Sequence, residues 1–370
     1  MAYLMILLAV GCLAYANGAN DNFKGVATLF GSGTTNYRGA LAWATITTLL
    51  GSLTAVFLAQ QLLKNFSGRD LVSETVVADL DFVAAVALAA GLTVLLATRL
   101  GLPISTTHAL VGGLVGAGWA AGSSINGSKL ATDFFLPLLI SPVIALSCTT
   151  VCYLLLHVVR RATGIKSESC FCVGQQVIEV APALHTTAVS QRIEQLSAST
   201  GTAVTCRNRY QGGMFGIEVG PAFDALHFLS AGVVSFARGL NDTPKIAALL
   251  LIVPLFGNFG STALVGAAIA IGGLMSARRV GELMSRQITP MNHGQGFTAN
   301  LVTGLVVIAA SQFGFPVSTT HVSCGSLFGI GLVTRQAQWT TIAKILTAWL
   351  TTLPVGMLLG AIVFRLLATI

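Results

Sequence analysis

The feature that most constrains this chain is a duplication set inside apolar sequence. Gly91-Leu-Thr-Val-Leu-Leu-Ala-Thr-Arg-Leu-Gly-Leu-Pro-Ile-Ser-Thr-Thr-His108 recurs as Gly304-Leu-Val-Val-Ile-Ala-Ala-Ser-Gln-Phe-Gly-Phe-Pro-Val-Ser-Thr-Thr-His321. Extended to Gly118 and Gly331, 14 of 28 positions are identical at an offset of 213. A second pair, Gly18-Ala-Asn-Asp-Asn-Phe-Lys24 and Gly239-Leu-Asn-Asp-Thr-Pro-Lys245, is offset by 221. Apolar runs fall at about 2–17, 40–63, 82–98, 103–122 and 134–159, then at about 222–237, 246–256, 259–275, 298–312, 316–333 and 340–368. Several are shorter than the ~20 residues that a full helical span needs. Broken backbone survives at membrane depth only when it is buried in protein or lines a wet cavity. Two halves with matching interrupted helices point to a secondary transporter. The expected fold is an all-α polytopic membrane protein with interrupted or re-entrant helices. Its expected parts are a first repeat over 1–159, a linker or insert over 160–218 and a second repeat over 219–370.

Composition agrees with that class. Hydrophobic residues make up 54% and charged residues 9%, against ~25% charged in a soluble domain. So little charge cannot cover a soluble surface, which excludes an ordinary soluble enzyme, a coiled coil and a disordered chain. The net charge of +7 comes with no basic stripe and no interleaved aromatics. It therefore points to membrane edges rather than to nucleic acid. Residues 3 to 13 followed by Ala14-Tyr15-Ala16 look like a signal peptide, but the first basic residue is Lys24 and a similar segment recurs near 222–238. A retained first transmembrane helix is the better reading.

The linker differs in composition. Arg160 and Arg161 directly follow an apolar run, which places the linker in the cytoplasm by the positive-inside bias, with both termini outside. Val189, Ile193 and Leu196 share one face of a short amphipathic helix expected over 186–198. Of the seven cysteines, Cys12, Cys148, Cys152 and Cys324 lie in apolar runs, and no disulfide framework is visible. Cys170-Phe171-Cys172 with Cys206 offer thiols that could hold a metal, but their spacing matches no standard zinc pattern, which makes this the weaker reading. No metal and no cofactor are expected.

Two duplicated motifs carry the chemistry. In the first, Asn20, Asp21 and Lys24 match Asn241, Asp242 and Lys245. Gly ends helices and Asn or Asp caps the next one, so a chain break is expected at each copy. A mere cap would not place a lysine in the first turn, where the dipole disfavours a cation. Nor would it place four charges beside apolar runs, at ~2.5–3.5 kcal/mol each near the bilayer centre. Asp and Lys three residues apart share a helix face and can pair. In the second motif, Pro103 and Pro316 disfavour helix just before them, and Ser105 and Ser318 then cap the helices that follow. Ser105, Thr106 and Thr107, with Ser318, Thr319 and Thr320, gather hydroxyls at positive helix ends, an arrangement suited to an oxyanion. The bland reading is that these hydroxyls satisfy their own backbone, which duplication as the same tetrapeptide argues against. His108 and His321, one turn further in, suit structural support or proton handling. The glycines at 112, 113, 116 and 118, and at 325, 329 and 331, read as close-packing faces.

With its two Asn-Asp motifs and two Pro-x-Ser-Thr-Thr-His motifs in this order, the chain resembles the inorganic phosphate transporter (PiT) family. The resemblance implies an inverted-repeat carrier that moves phosphate together with Na⁺ or H⁺, with both motif pairs around one midplane site. Lys24 and Lys245 depart from the family pattern, in which small or polar residues are more usual. A built-in cation beside each Asp replaces part of the charge that a bound Na⁺ supplies, which leaves the coupling ion open.

Read from the residues alone, the site holds an anion between hydroxyls and helix ends. Asp21 and Asp242 repel an anion unless a cation lies between, or unless the anion donates a hydrogen bond. Protonated phosphate has such a donor and sulfate does not, so the carboxylates favour phosphate. The alternatives are a sulfate or other oxyanion carrier, an anion channel, and an intramembrane Ser–His enzyme. The enzyme lacks an orienting third group, and no nucleotide-binding loop is present. Expected partners are inorganic phosphate and the lipid bilayer of the plasma (inner) membrane. A homodimer is left open.

Overall fold

Apolar helices of ~20 residues satisfy every backbone group internally, and such helices dominate the computed structural model. It describes residues 2–180, 191–210, 214–254 and 257–369. In chain order the first half has α1 (Ala2–Asp21), a 3₁₀ turn at Lys24–Val26, α2 (Ala27–Gly31), α3 (Tyr37–Leu58), α4 (Gln60–Asn65) and α5 (Glu74–Val77). It continues with α6 (Leu80–Arg99), α7 (Thr106–Ala120), the short α8 (Gly127–Lys129) and α9 (Leu136–Thr163). The second half has α11 (Val219–Ala247), reached after the elements of the insert described below, then α12 (Asn258–Ser276), α13 (Arg278–Arg286), α14 (His293–Gln312), α15 (Thr319–Thr334) and α16 (Trp339–Leu367). Eight helical stretches among the described residues are long and apolar enough to cross a bilayer. The protein is a multi-pass integral membrane protein.

Helices α7 and α15 are different. They have 15 and 16 residues, too short for a full span, and nearly every residue is buried. Ser105 and Ser318 cap them as the motif predicts, accepting from the N–H of His108 at 3.1 Å and of His321 at 3.2 Å. Each lies on the last long helix of the other half. A Cβ on Gly112 or Gly116 of α7 would collide with backbone oxygens of Leu353 or Met357 in α16. On Gly325 or Gly329 of α15 it would press on those of Pro142 or Leu146 in α9. Missing side chains allow backbones to approach this closely, and dispersion then holds the helices together in lipid.

The expected break falls inside the first Asn-Asp motif, where α1 ends at Asp21 and a turn leads into a new helix, but not inside the second, and in neither copy does the glycine end the helix. Helix α1 runs through Gly18 to Asp21, and α11 runs through Gly239 to Ala247 before a 3₁₀ turn at Ala248–Leu250. Two causes are visible. Gly18 and Gly239 are spent on close approach, since a Cβ there would strike the carbonyl oxygens of Ile269 and Thr48. The Asp carboxylates are bound by other side chains, so neither is available to cap a backbone N–H.

Two compact units result, Met1–Tyr153 with His227–Ile370, and Leu154–Leu226. Within the second unit, β1 (Ser169–Val180) pairs antiparallel with β2 (Gln191–Thr202) and with β3 (Met214–Glu218), in the order β2-β1-β3; α10 (Ala203–Arg209) follows β2. The helix expected over 186–198 is not formed: residues 191–198 belong to β2, and 186–190, with Val189, lie outside the described residues. A lone helix under four turns long is marginal against its nucleation cost, whereas β1 offers a ladder partner at every residue of β2. Leu196, 72% exposed, gains nothing from an apolar helix face. The absence of a disulfide is also corrected, because Cys172 and Cys206 are bridged. Strand pairing brings them together, and spacing alone could not show it.

Candidate functional site

The end of α1 and the corresponding stretch of α11 meet the N-termini of α7 and α15 inside the first unit. Each half builds the same local network. Lys24 pairs with Asp21 in a buried contact, and Lys245 lies 3.7 Å from Asp242. The Lys24 ammonium also donates to the carbonyl of Ile104 at 2.9 Å, and that of Lys245 to the carbonyl of Val317 at 2.6 Å. The Asn20 amide donates to Thr98 Oγ1 at 2.9 Å, and Ser311 donates to Asn241 Oδ1 at 3.3 Å. Ile104 and Val317, like Thr98 and Ser311, are 213 positions apart. The sequence duplication has become a duplicated polar constellation.

The two networks then exchange partners. Lys24 of the first half donates to Thr320 Oγ1 of the second at 2.6 Å, and Lys245 of the second half donates to Thr107 Oγ1 of the first at 2.9 Å. Within each half, Thr106 donates to Asp21 at 3.2 Å and Thr319 to Asp242 at 3.3 Å. The structure thus brings Asp21, Lys24, Thr106, Thr107, Asp242, Lys245, Thr319 and Thr320 into one buried cluster, with Asn20 and Asn241 beside it. All of these residues are at most 5% exposed. Ser105 and Ser318 stand at its edge as caps.

Two central residues escaped the motif reading. Asn17 donates to Asp21 at 3.0 Å and to Asp242 at 3.4 Å, linking the carboxylates of the two halves. Arg238, only 1% exposed, donates to Asn17 Oδ1 at 3.2 Å, to Asn22 Oδ1 at 3.0 Å and to Thr48 Oγ1 at 3.1 Å. Asn17 and Arg238 are 221 positions apart, at matching places before each motif. A signal existed: an arginine beside an apolar run marks function by default.

His108 and His321 are brought together but held apart from the carboxylates. Their rings lie 4.6 Å apart, and the His321 ring lies 3.8 Å from that of Trp349. Both line an apolar cavity of about 840 Å³ with Leu138, Pro142, Phe328 and Trp349. No hydrogen bond to Asp21 or Asp242 involves either ring among the described residues.

At their ordinary charges, Lys24, Lys245 and Arg238 exceed Asp21 and Asp242 by one positive charge. Taking ions out of water costs several kcal/mol each unless partners compensate. A monoanion would neutralise the surplus. The acceptor oxygens a hard cation would use are occupied by donors: Asn20 Oδ1 accepts from Lys24 and from the Ile104 N–H, and the Val317 carbonyl from Asn241 and Lys245.

The family model of the phosphate transporter family matches residues 17–360, which contain all of these groups. The chain belongs to the phosphate transporter family. Among its relatives, a protein of Thermococcus kodakarensis assigned as a phosphate permease is 28% identical, over 99% of this chain and 98% of its own length. One of Mycobacterium leprae, assigned as a low-affinity inorganic phosphate transporter, is 26% identical over 98% of this chain and 78% of its own. The solved structure of a sodium-dependent phosphate transporter superposes with a TM-score of 0.75 at 19% identity, covering 100% of this chain and 99% of that one. This last likeness concerns the fold. Family and relatives are carriers rather than enzymes.

Proposed function

We propose that this protein carries inorganic phosphate across the plasma membrane by alternating access, in symport with H⁺. The observation that carries the reading is the reciprocal pair of cross-half contacts, Lys24 to Thr320 and Lys245 to Thr107. Ammonium and hydroxyl groups are the donors a tetrahedral oxyanion recruits, and here they saturate one another in a closed site. Phosphate binding replaces these contacts: its oxygens accept from both lysines and from Thr106, Thr107, Thr319 and Thr320. Asp21 and Asp242 accept from its protonated oxygens, which sulfate lacks. Because the two lysines hold one half to the other, their release on binding lets the halves move as alternating access requires.

The choice of H⁺ rests on the lysines. Hard cations are held by clusters of oxygen ligands, and the oxygens beside Asp21 and Asp242 already face ammonium and amide donors. A proton needs no such cage and travels on the carboxylates or on phosphate itself.

Purified protein in liposomes, supplied with radiolabelled phosphate, tests both parts. Uptake should follow an inward proton gradient without Na⁺, with arsenate competing strongly and sulfate weakly. Uptake driven by Na⁺ alone would replace H⁺ as the coupling ion. Equal inhibition by sulfate and phosphate would favour a general oxyanion carrier and remove the role given to the carboxylates.

A further inference from the structure

The insert has an unusual interior. Among its described residues, the buried side chains are those of Cys170, Cys172, Cys206 and Tyr210, each 3% exposed or less. Around them Phe171, Leu196, Val204, Phe215 and Ile217 are exposed. The core that the described residues form is thin, and small domains make up such a deficit with a cross-link or a bound metal. Here the material for either is present at one point. Cys170 and Cys172 lie two residues apart on β1 and so point to the same face. Cys206 reaches them from α10, whose start is fixed by a reciprocal capping box between Thr202 and Thr205. All three sulfurs lie within 4.8 Å of one another, and the Cys170 and Cys172 sulfurs are 3.4 Å apart.

The geometry points to a three-sulfur binding site for one thiophilic metal ion, Zn²⁺ or Cu⁺, formed by Cys170, Cys172 and Cys206 when the Cys172–Cys206 bridge is reduced. Metal–sulfur bonds of ~2.3 Å in a tetrahedral site put the sulfurs ~3.8 Å apart; Cys170 and Cys172 are already near that spacing, and the Cys172 and Cys206 sulfurs move apart to it once their bond is broken. Thiolates select soft ions of this kind over hard ones. A purely structural bridge needs two cysteines; the third, buried on the same face and against the first two, is what a bridge leaves unexplained. Reduction is a two-electron exchange with a dithiol. The S–S bond between Cys172 and Cys206 breaks, two protons and two electrons pass to the new thiols, and the dithiol leaves as its own disulfide. Binding then releases one proton from each coordinating thiol, and the fourth position of a tetrahedral ion stays open to water or a small ligand. Metal and bridge are thus alternative occupants of one core, selected by the redox state of the compartment.

The test uses the purified full-length protein, treated with dithiothreitol, desalted without air, and loaded with Zn²⁺ alone or Cu⁺ alone. Counting thiols first should give five before reduction and seven after, since five cysteines are free and two are bridged. One equivalent of one of these ions should then remain bound after desalting, and the arm that retains it identifies the metal. Cys170→Ser still forms the Cys172–Cys206 bridge, so its fold is verified before reduction, and it should lower metal affinity at least tenfold. A variant with Cys12, Cys148, Cys152 and Cys324 all changed to Ser should retain the full equivalent. The proposal fails if neither ion is retained, if Cys170→Ser retains either as tightly as the parent, or if the bridge resists reduction in the folded protein.

Discussion

Asp21 and Lys24 sit three residues apart, both buried, and the ammonium bonds the carboxylate directly. Removing one member of such a pair strands the other, at a cost of ~3–5 kcal/mol. Asp21→Asn should therefore abolish uptake and also lower the melting temperature. Adding Lys24→Gln should restore much of the melting temperature and none of the uptake. Simply additive stability effects across the four proteins would mean that the two residues do not interact. Wild-type uptake by Asp21→Asn would remove it from the mechanism. Thr107 and Thr320 pose a different question, because each receives a lysine from the opposite half. Thr107→Val and Thr320→Val should each remove one hydrogen bond to the anion and weaken it by ~1–3 kcal/mol, read as a raised KM for uptake. The two losses should be similar. A silent variant at one position beside a large loss at the other would break the equivalence of the halves. At this scale the duplicated residues were readable in the sequence, because repetition separates a site from a local cap. Asn17 and Arg238 were harder to read: they occupy matching positions with different residue types, so the repeat conceals them.

Among the elements, the short buried helices α7 and α15 were legible from Pro-x-Ser and from their small residues, and α1 breaks within its motif as expected, whereas α11 runs past its copy to Ala247. Glycine ends a helix only when the chain exploits its left-handed conformation. At Gly18 and Gly239 it instead makes room for a neighbouring backbone, and no local pattern distinguishes these uses. Strand β2 was missed for a related reason: its partner β1 lies outside any window that reads local periodicity. The packing role of glycine can be measured. Gly116→Ala places a Cβ against the Met357 carbonyl, while a Cβ at Gly11 of α1 meets nothing within 4 Å. Gly116→Ala should lower both the yield and the melting temperature of folded protein, and Gly11→Ala should leave them unchanged or raise them. Equal behaviour of the two would show that α7 does not depend on backbone contact with α16.

For the whole molecule, the reciprocal contacts suit two halves related by a two-fold axis. With Arg160 and Arg161 at the end of α9, the positive-inside bias predicts that residues 160–218 face the cytoplasm. Single cysteines introduced at Ser67 and at Ser169, in a background without the native seven, provide the check in intact cells. Both residues are outside the candidate site; Ser169 opens β1 within the insert and reports its side. The Ser169 thiol should resist an impermeant reagent until the membrane is opened, and reaction before that would reverse the orientation. Ser67 follows α4, and its labelling then fixes the side of the loop after the second span.

The lodging of α7 against α16 and of α15 against α9 also has a consequence for biogenesis. Helix α7 ends at Ala120, and its partner begins at Trp339. At a synthesis rate of ~5–20 residues per second, the ribosome takes on the order of tens of seconds to make the chain between them. Throughout that interval the bare-backbone face of α7 that meets α16, and the Lys24 donor that reaches Thr320, wait for partners not yet made. The first half is then a client for whatever membrane chaperone or insertase shelters unfinished chains, and a ribosome that stalls within the second half leaves a product marked for proteolysis. Completion of the last helix, rather than insertion of the first, is the step that commits the nascent carrier to its native state.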